Sequence, residues 1–394
     1  MYIIPHILLY LPKLTLKTSR SFHHNNNQSK ITTNMKERES NIEAARILAM
    51  ILVVLVHANY FSLGGIDRSD IISSPSSSFM RMFFEHLCIV GVNLFVLISG
   101  WFGIRPTVKG AISLLYQVLF YSILILAAGI IIGIPIPEGE MKEVFYFGCF
   151  YWFIPAYLCL YVLSPILNSF IEHSTRNQLL HVLIAFFFLE FIYGWITNSA
   201  SFDGGYSTLS FIGLYLLARY VNKYSDKLKS INPMVSLGGY FIMTIIPTVI
   251  AFFGIKNIGH GLSSYKYCSP FVISASLFLF LFFQKFSFKN KFINWVACSV
   301  FSVYIVHLNP MIVPFFTKTL KSAYESLDGF TYCIIAVCLA VLLCLVCAAI
   351  DKVRISSWKF IVSSVSSILP QKKKQFHRLL QNVKSASQTV DFSN

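Results

Sequence analysis

Charged side chains are scarce in this sequence. Asp, Glu, Lys and Arg together make up 12% of its 394 residues, about half the share found in soluble domains. Hydrophobic residues make up 55%, and the mean hydropathy is +0.64. A chain of this composition cannot cover the surface of a soluble fold. The composition excludes a soluble enzyme, a disordered chain and a disulfide-stapled secreted domain, and it predicts a membrane protein.

Acidic residues are the scarcer of the two charge types, with 17 Asp and Glu against 32 Lys and Arg. Eleven of the fifteen net positive charges fall in residues 1–34 and 352–394. Basic flanks are typical of the cytoplasmic ends of membrane proteins, and they contain no motif that binds in a groove of a nucleic acid. We therefore expect membrane lipid, and no nucleic acid, as a partner, with the tail 352–394 lying against anionic lipid.

Clusters of cysteine are also lacking. The nine cysteines are scattered, and most lie in apolar runs, where they behave as small hydrophobic residues. Cys344 and Cys347 have the spacing of a redox pair, but their run is apolar throughout and no second pair accompanies them. The sequence predicts no disulfide framework, no metal site and no bound cofactor.

Ten apolar runs are long enough to cross a hydrocarbon layer of about 30 Å, which takes about 20 helical residues. The predicted spans are 43–62, 81–103, 111–133, 144–167, 179–197, 206–221, 235–254, 269–285, 292–316 and 330–350. Because spanning segments of this kind are helical, the expected fold class is an all-α polytopic membrane protein. Prolines in the fourth and ninth spans predict breaks or kinks there; they are Pro155, Pro165, Pro310 and Pro314.

These runs define the expected domain organisation. Residues 1–34 are predicted to be a disordered or misassigned N-terminal extension, because Met35 opens a more natural start just before the first span. Residues 35–351 are expected to form a membrane domain of about ten helices, and 352–394 a basic cytoplasmic tail. The loops are too short for a separate domain. Any chemistry must therefore lie within or between the helices.

The distribution of Lys and Arg predicts the orientation of the chain. When the loops beyond residue 34 are assigned alternately to the two sides, one set holds 21 basic residues and the other holds 7. The positive-inside rule places the richer set in the cytoplasm. With an even number of spans, both termini are then cytoplasmic.

Two ionisable side chains stand out in the first span. Each costs about 2.5–3.5 kcal/mol to insert into the membrane, so a functional role is the first hypothesis for each. The ten residues between Arg46 and His57 are all apolar. Eleven helical steps return to within about 20° of the starting direction and rise about 16 Å, so both side chains lie on one stripe. Arg46 would hold the anionic end of a ligand, and His57, kept neutral by its apolar surroundings, would be a general base.

A simpler interpretation competes at these positions. Arg46 could extend to the membrane interface, and His57 could be a hydrogen-bonded packing residue. Glu43 follows Ser40 with capping-box spacing, which predicts a helix cap. Glu43 also lies one turn from Arg46 and could orient it.

The other polar positions have weaker support. Glu85 and His86 are expected to be solvated residues at the outer interface, and Glu190 is expected to be a buried acid that is protonated or paired. His307, three residues before Pro310, is a second candidate for the site. Outer-facing aromatic residues either form interfacial belts or stack on sugar rings; they are Tyr60, Phe61, Trp195, Phe202, Tyr206 and Tyr265.

Several segments resemble membrane-bound acyltransferase family 3, bacterial proteins that O-acylate surface carbohydrates. The Arg46-x10-His57 pattern is followed by GVNLFVLISGWF over residues 91–102. The segments YWFIPAY over 151–157, with Ser164-Pro165, and SVYIVH over 302–307 are also similar to family segments. The likeness extends from about Met35 to residue 350, and its most specific part is the combination of Arg-x10-His with the Ser-Gly-aromatic end of the second span.

The resemblance implies a ten-span domain in a bacterial inner membrane that takes an acyl group, usually acetyl, from coenzyme A on the cytoplasmic side. It implies that His57 is the catalytic histidine, that Arg46 holds the phosphates of the coenzyme, and that His307 occupies a recurrent family position. Many members carry an acid where this chain has Asn93, whose amide could still hydrogen-bond Arg46. Acyl-CoA is then the co-substrate, and a carbohydrate or glycolipid is the acceptor.

Two functions remain open at this point. In an O-acyltransferase, His57 either activates a sugar hydroxyl as a general base or carries the acyl group as a transient acyl-histidine. Alternatively, the spans form an exporter or flippase for a glycan or lipid intermediate, with Arg46 and His57 lining its pathway. The lack of an internal repeat and the small number of polar stripes favour the enzyme.

Overall fold

The computed structural model describes residues 39–136, 151–259, 261 and 265–388, with the backbone alone for 366–388. Five predictions fall partly or wholly outside the described residues. These are the N-terminal extension 1–34, the start of the membrane domain at 35–38, the start of the fourth predicted span at 144–150, Lys142 in the count of basic loop residues, and the end of the tail at 389–394.

Every regular element of the described residues is a helix, in agreement with the predicted all-α class. The helices of six or more residues are α1 (Ser40–Val56), α2 (Arg68–Ser73), α3 (Pro75–Cys88), α4 (Gly91–Phe102), α5 (Val108–Ile132), α6 (Phe153–His173), α7 (Arg176–Leu189), α8 (Thr208–Tyr224), α9 (Pro233–Ile258), α10 (Pro270–Gln284), α11 (Lys291–Ala297), α12 (Val300–His307), α13 (Val313–Ser326) and α14 (Gly329–Gln388). Two π-helical turns, His57–Phe61 and Glu190–Ile196, extend α1 and α7.

Within the described residues, seven helical stretches are long and apolar enough to cross a membrane: Ser40–Phe61, Pro75–Phe102, Val108–Ile132, Phe153–His173, Arg176–Ile196, Pro233–Ile258 and Gly329–Val365. Two further apolar stretches are shorter, Pro270–Gln284 and Lys291–His307. The sixth predicted span corresponds to α8, which has 17 residues and carries Arg219 and Lys223. By length and composition the fold is a polytopic membrane protein. The count of ten spans and the cytoplasmic position of both termini stay predictions.

The ninth predicted span is broken at Pro310, whereas the fourth is helical from Phe153 onward. Helix α12 ends at His307 and α13 begins at Val313, with Pro310 in the turn between them. In α6, Pro155 lies in the first turn, where the missing N–H has no intrahelical partner to lose. The same helix continues through Pro165.

Helix α1 lies at the centre of the bundle, where it packs against α3, α4, α10, α11, α12 and α14. In an apolar window of 18 residues within each span, 50% of Ser40–Phe61 and 72% of Pro75–Phe102 is buried inside the protein, against 22–39% for the other five. The first two spans therefore have the largest share of residues packed against protein.

Two glycines let α4 approach its neighbours closely. A Cβ on Gly91 would lie 2.6 Å from the carbonyl oxygen of Ala49 in α1, and one on Gly100 would lie 2.8 Å from that of Tyr215 in α8. No side chain fits at either place. The two ends of the segment 91–102 thus have a packing role, because they hold α4 between α1 and α8.

The last helix runs without a break across the predicted boundary between membrane domain and tail. Close to that boundary, Asp351 is fully buried and accepts hydrogen bonds from Arg354 at 2.7 and 2.8 Å and from the Tyr121 hydroxyl at 2.9 Å. One turn further, Tyr116 and Ser357 are hydrogen-bonded at 2.7 Å. The beginning of the tail is therefore attached to α5.

Candidate functional site

The site is built at the end of the first span, where α1 becomes π-helical over His57–Phe61. The hydroxyl of Ser62 donates to the carbonyl of His57 at 2.6 Å and so satisfies one of the backbone groups of this turn. π-Helical turns inside longer helices are frequent at functional sites. Nothing in the sequence HANYF distinguishes an α turn from a π turn, and the sequence analysis did not predict it.

The imidazole ring of His57 meets that of His307, which α12 brings from the other end of the chain. His57 Nδ1 lies 3.0 Å from His307 Nε2, and His307 Nδ1 lies 2.6 Å from the carbonyl oxygen of Val303. The ring centroids of the two histidines are 5.1 Å apart. The structure thus joins the two histidines that the sequence analysis had proposed separately.

The hydrogen-bond network assigns the tautomers of this pair. The Val303 carbonyl can only accept, so His307 Nδ1 carries a proton, and Nε2 of the neutral His307 ring is an acceptor. His57 Nδ1 must therefore donate to it. The remaining ring nitrogen of His57, Nε2, is left with a lone pair.

His57 lines a cavity of about 580 Å³, a volume within the range of small-molecule sites. Most of the described residues around it are aromatic; among them are Tyr60, Phe61, Tyr151, Trp152, Tyr206, Tyr265, Tyr267 and Tyr304. Of the six aromatic residues predicted to face the outer side, Tyr60, Phe61, Tyr206 and Tyr265 line this cavity. Trp195 and Phe202 are not among its described lining residues.

Arg46 lies at the other end of the predicted stripe. Its Nη1 is 2.7 Å from Glu43 Oε1, and its side chain is 32% exposed. Glu43 therefore orients Arg46, and the predicted capping box is wrong. Glu39 precedes the first turn of α1 without a side-chain cap, and the hydroxyl of Ser40 donates instead to Asn294 at 3.0 Å.

A smaller cavity of about 40 Å³ lies along the same stripe. Met50 and Val53 line it, and they follow Arg46 at the spacing that keeps side chains on one helix face. Tyr304 lines both this cavity and the large one. The smaller cavity is too narrow for a ligand arm, so the side chains along the stripe must move if a ligand is to extend from Arg46 to His57.

Asn93 has its hydrogen bond elsewhere than at Arg46. It is fully buried, and its Nδ2 donates to the carbonyl of Tyr267 at 2.8 Å. The hydrogen bond to Arg46 that the sequence had left possible is not formed among the described residues. The amide instead attaches α4 to the segment that carries Tyr267, which lines the cavity.

Glu190 is buried as predicted, at 1% exposure. It opens the second π turn, and its carboxyl oxygens have no hydrogen-bond partner of good geometry among the described residues, although the Ser210 side chain lies beside it. It is not among the described residues that line the two cavities at α1. The structure does not bring it to His57.

Glu85 and His86 are not solvated, contrary to the prediction, because each is 2% exposed. The helix begins at Pro75 rather than at 81, so both residues lie about three turns inside it. Glu85 lines the large cavity and accepts a hydrogen bond from Asn59 at 2.9 Å. The ring of His86 packs on Tyr265 with centroids 4.4 Å apart.

Four aromatic residues of the site were not singled out from the sequence. Tyr151, Trp152 and Tyr304 lie in the segments that carry the family resemblance, so that resemblance could have pointed to them. Tyr267 lies in a loop with no comparable signal. No group of three or more His, Cys, Asp and Glu among the described residues is arranged to hold a metal ion.

Comparison with known proteins identifies the family of the chain. A family model described as an acyltransferase domain matches residues 39–349, which include Arg46, His57 and His307. No curated protein and no solved structure matches the chain. Because the family match covers most of the chain, from the first residues of α1 into α14, the chain belongs to acyltransferase family 3.

Proposed function

We propose that this membrane acyltransferase moves an acyl group from acyl-CoA to a hydroxyl of a carbohydrate, with His57 as the general base. One observation carries the proposal. The contact of 3.0 Å between His57 and His307 leaves Nε2 as the free basic nitrogen of a ring that lines the 580 Å³ cavity. A neutral imidazole whose other nitrogen donates to a fixed acceptor is the arrangement that general-base catalysis requires.

In the proposed mechanism, the phosphates of acyl-CoA bind Arg46, and the arm of the coenzyme follows the stripe past Met50 and Val53 to bring the thioester beside His57. His57 Nε2 removes the proton of the acceptor hydroxyl, and the oxygen attacks the thioester carbonyl. The C–S bond then breaks, and the departing thiolate takes the proton from the imidazolium. Acyl ester and free CoA are the products.

His307 acts in this proposal as a positioning residue. It accepts from His57 Nδ1 before and after proton transfer, so it holds one tautomer and one orientation of the His57 ring. Its own orientation is held by the Val303 carbonyl. Since His307 is neutral, it stabilises the imidazolium through a hydrogen bond and not through a full opposite charge.

The aromatic lining supports a carbohydrate as the acceptor. Sugar rings present apolar C–H faces and polar edges, and tyrosine and tryptophan combine an apolar ring with a hydrogen-bonding group. Trp152, Tyr206 and Tyr267 form a cluster in which Trp152 lies 4.5 Å from Tyr206 and 5.5 Å from Tyr267, and the two tyrosines lie 4.8 Å apart, all between ring centroids. We further propose acetyl as the acyl group and a bacterial inner membrane as the location, both from the family resemblance.

The test uses the purified full-length protein in lipid nanodiscs with acetyl-CoA and an acceptor glycan. We expect the wild-type protein to release CoA and to acetylate the glycan, and His57→Ala to do neither while it remains folded. His181→Ala, at an exposed histidine of α7, is the matched control and should retain activity. Absence of CoA release from the wild-type protein would support an exporter and overturn the enzyme.

Radiolabelled acetyl-CoA separates the two roles of His57. Without an acceptor, a general base leaves no label on the protein, whereas an acyl carrier accumulates acyl-histidine. Label that is found on the wild-type protein and lost in His57→Ala would replace the general base by an acyl carrier.

A further inference from the structure

Glu85 is a buried carboxylate in the same cavity as His57, and the mechanism above does not use it. It lies on α3 with 2% of its surface exposed, and it lines the cavity together with His57 and the aromatic residues. A carboxylate inside a membrane-spanning segment is costly to insert into the membrane, so a functional role is the first hypothesis for it.

The neighbours of Glu85 hold it in one position. Asn59 Nδ2 donates to Glu85 Oε2 at 2.9 Å and also to the carbonyl of Arg81 at 3.0 Å, while Asn59 Oδ1 accepts from Arg81 Nε at 3.1 Å. The backbone N–H of Tyr60 is a further donor to Glu85. A carboxylate offers about four acceptor positions. Two are occupied by the protein, and the rest can accept from a ligand.

The cavity holds no cationic side chain among its described lining residues, and Glu85 is the only acid among them. Arg81 is close in sequence, but its donors are directed elsewhere. Its Nε bonds Asn59, its Nη2 bonds the carbonyl of Gly64 at 2.7 Å, and its guanidinium lies 5.1 Å from the ring of Tyr324. Arg81 acts on Glu85 through its charge but is not among the described lining residues, so an anionic ligand would meet a carboxyl group there and no cationic lining side chain.

We propose that Glu85 binds a hydroxyl of the acceptor and makes the site selective for neutral sugars over anionic ones, such as uronic acids or sugar phosphates. A neutral sugar donates O–H groups to the carboxylate and places its apolar face on the aromatic rings. The inference rests on the proposed function, since it assigns the substrate class of the same cavity.

The experiment compares a neutral methyl hexoside with the corresponding methyl hexuronide as acceptors, with acetyl-CoA as the donor and the full-length protein in nanodiscs. We expect the wild-type protein to prefer the neutral sugar about tenfold or more in kcat/KM. In Glu85→Gln, KM for the neutral sugar should rise about tenfold, and the preference should fall to about twofold. Slow hydrolysis of acetyl-CoA without acceptor is measured in parallel for both proteins. Glu325→Gln, at an exposed glutamate of α13, is the matched control and should behave as wild type.

The outcomes separate this inference from the proposed function. A wild-type protein that hydrolyses acetyl-CoA but acylates both sugars equally, or neither, overturns the assignment of Glu85 and leaves the enzyme in place. This result needs no variant, so it holds even if Glu85→Gln does not fold. An equal loss of donor hydrolysis and of transfer in Glu85→Gln, with the preference intact, would show that Glu85 only supports the π turn. A wild-type protein that turns over no donor refutes the proposed function instead.

Discussion

Among the described residues, two π-helical turns each open with an ionisable residue inside a membrane-spanning helix, and only one of them has the features of a site. His57 opens the turn His57–Phe61, lines a cavity of about 580 Å³ and is hydrogen-bonded to His307. Glu190 opens the turn Glu190–Ile196, and its carboxyl lacks both a lining position in that cavity and a well-placed hydrogen-bond partner among the described residues. An unusual turn with a buried ionisable group is therefore not sufficient for a site. The partner and the cavity make the difference.

Substitution of His57 and, separately, of Glu190 should give the largest difference in acyl-transfer activity. His57→Ala should lower acyl transfer about 10³-fold, because a general base contributes about 10²–10⁴. Glu190→Gln should stay within about threefold of wild type, since Glu190 contacts neither His57 nor the cavity. Acetyl-CoA-dependent transfer by purified proteins, with gel filtration to confirm folding, measures both. Comparable losses in the two variants would remove the distinction between the turns.

Substitution of His307, which contacts His57 at the first π-helical turn, is the second test of the comparison between the two turns. His307→Ala should reduce kcat about 10²-fold, because His57 loses its side-chain acceptor and only the Val53 carbonyl remains to hold the ring. His307→Gln should recover about tenfold of that loss, since an amide oxygen can accept from His57 Nδ1. If the glutamine variant is no more active than the alanine variant, the role of His307 is in packing rather than in positioning.

Substitution of Arg46 should have a smaller effect, which is confined to binding of the donor acetyl-CoA. Arg46→Ala is expected to raise KM for acetyl-CoA about tenfold with little change in kcat, because the guanidinium binds phosphate away from the reacting atoms. Glu43→Gln should raise KM about twofold, since Glu43 only orients Arg46. Arg105→Ala, at an exposed residue beyond α4, is the control for non-specific charge and should change KM little. A uniform fall in kcat for Arg46→Ala would place it at the chemical step.

The smallest expected effect concerns stability at the second π turn. Glu190→Leu should raise the free energy of unfolding by about 1 kcal/mol, because it replaces a buried carboxyl without a well-placed partner by an apolar side chain of similar size. For a chain of this size that corresponds to a rise in Tm of about 2 °C. A thermal scan by tryptophan fluorescence measures it, with transfer activity retained. A fall in Tm would show that Glu190 has a partner that stabilises the fold.

Much of the architecture followed from local sequence. Runs of apolar residues predicted helices at each of the ten positions, and the described part of the chain is helical at all of them. The boundaries were less well predicted. The second span begins at Pro75 and not at 81, and this error alone made Glu85 and His86 look solvated. Apolar content does not mark where a helix of mixed polarity begins.

The site was predicted in part. The spacing of Arg46 and His57 follows from the helical period, so their common stripe could be read directly. The family resemblance contributed the proposed roles of both residues, and it also pointed to His307 as a candidate. The hydrogen-bond partner of Asn93 was not predicted, because a buried amide can bond any nearby carbonyl, and Tyr267 is 174 residues away.

The amino-acid sequence by itself determined that this chain enters a membrane as helices and that the first helix carries a cation and an imidazole on one face, because hydropathy and helical period depend only on neighbouring residues. The tertiary structure alone decided that His307 meets His57, that Glu85 enters their cavity, and that Glu190 does not. Those outcomes depend on which helices pack around α1, and such contacts join residues that no local period connects.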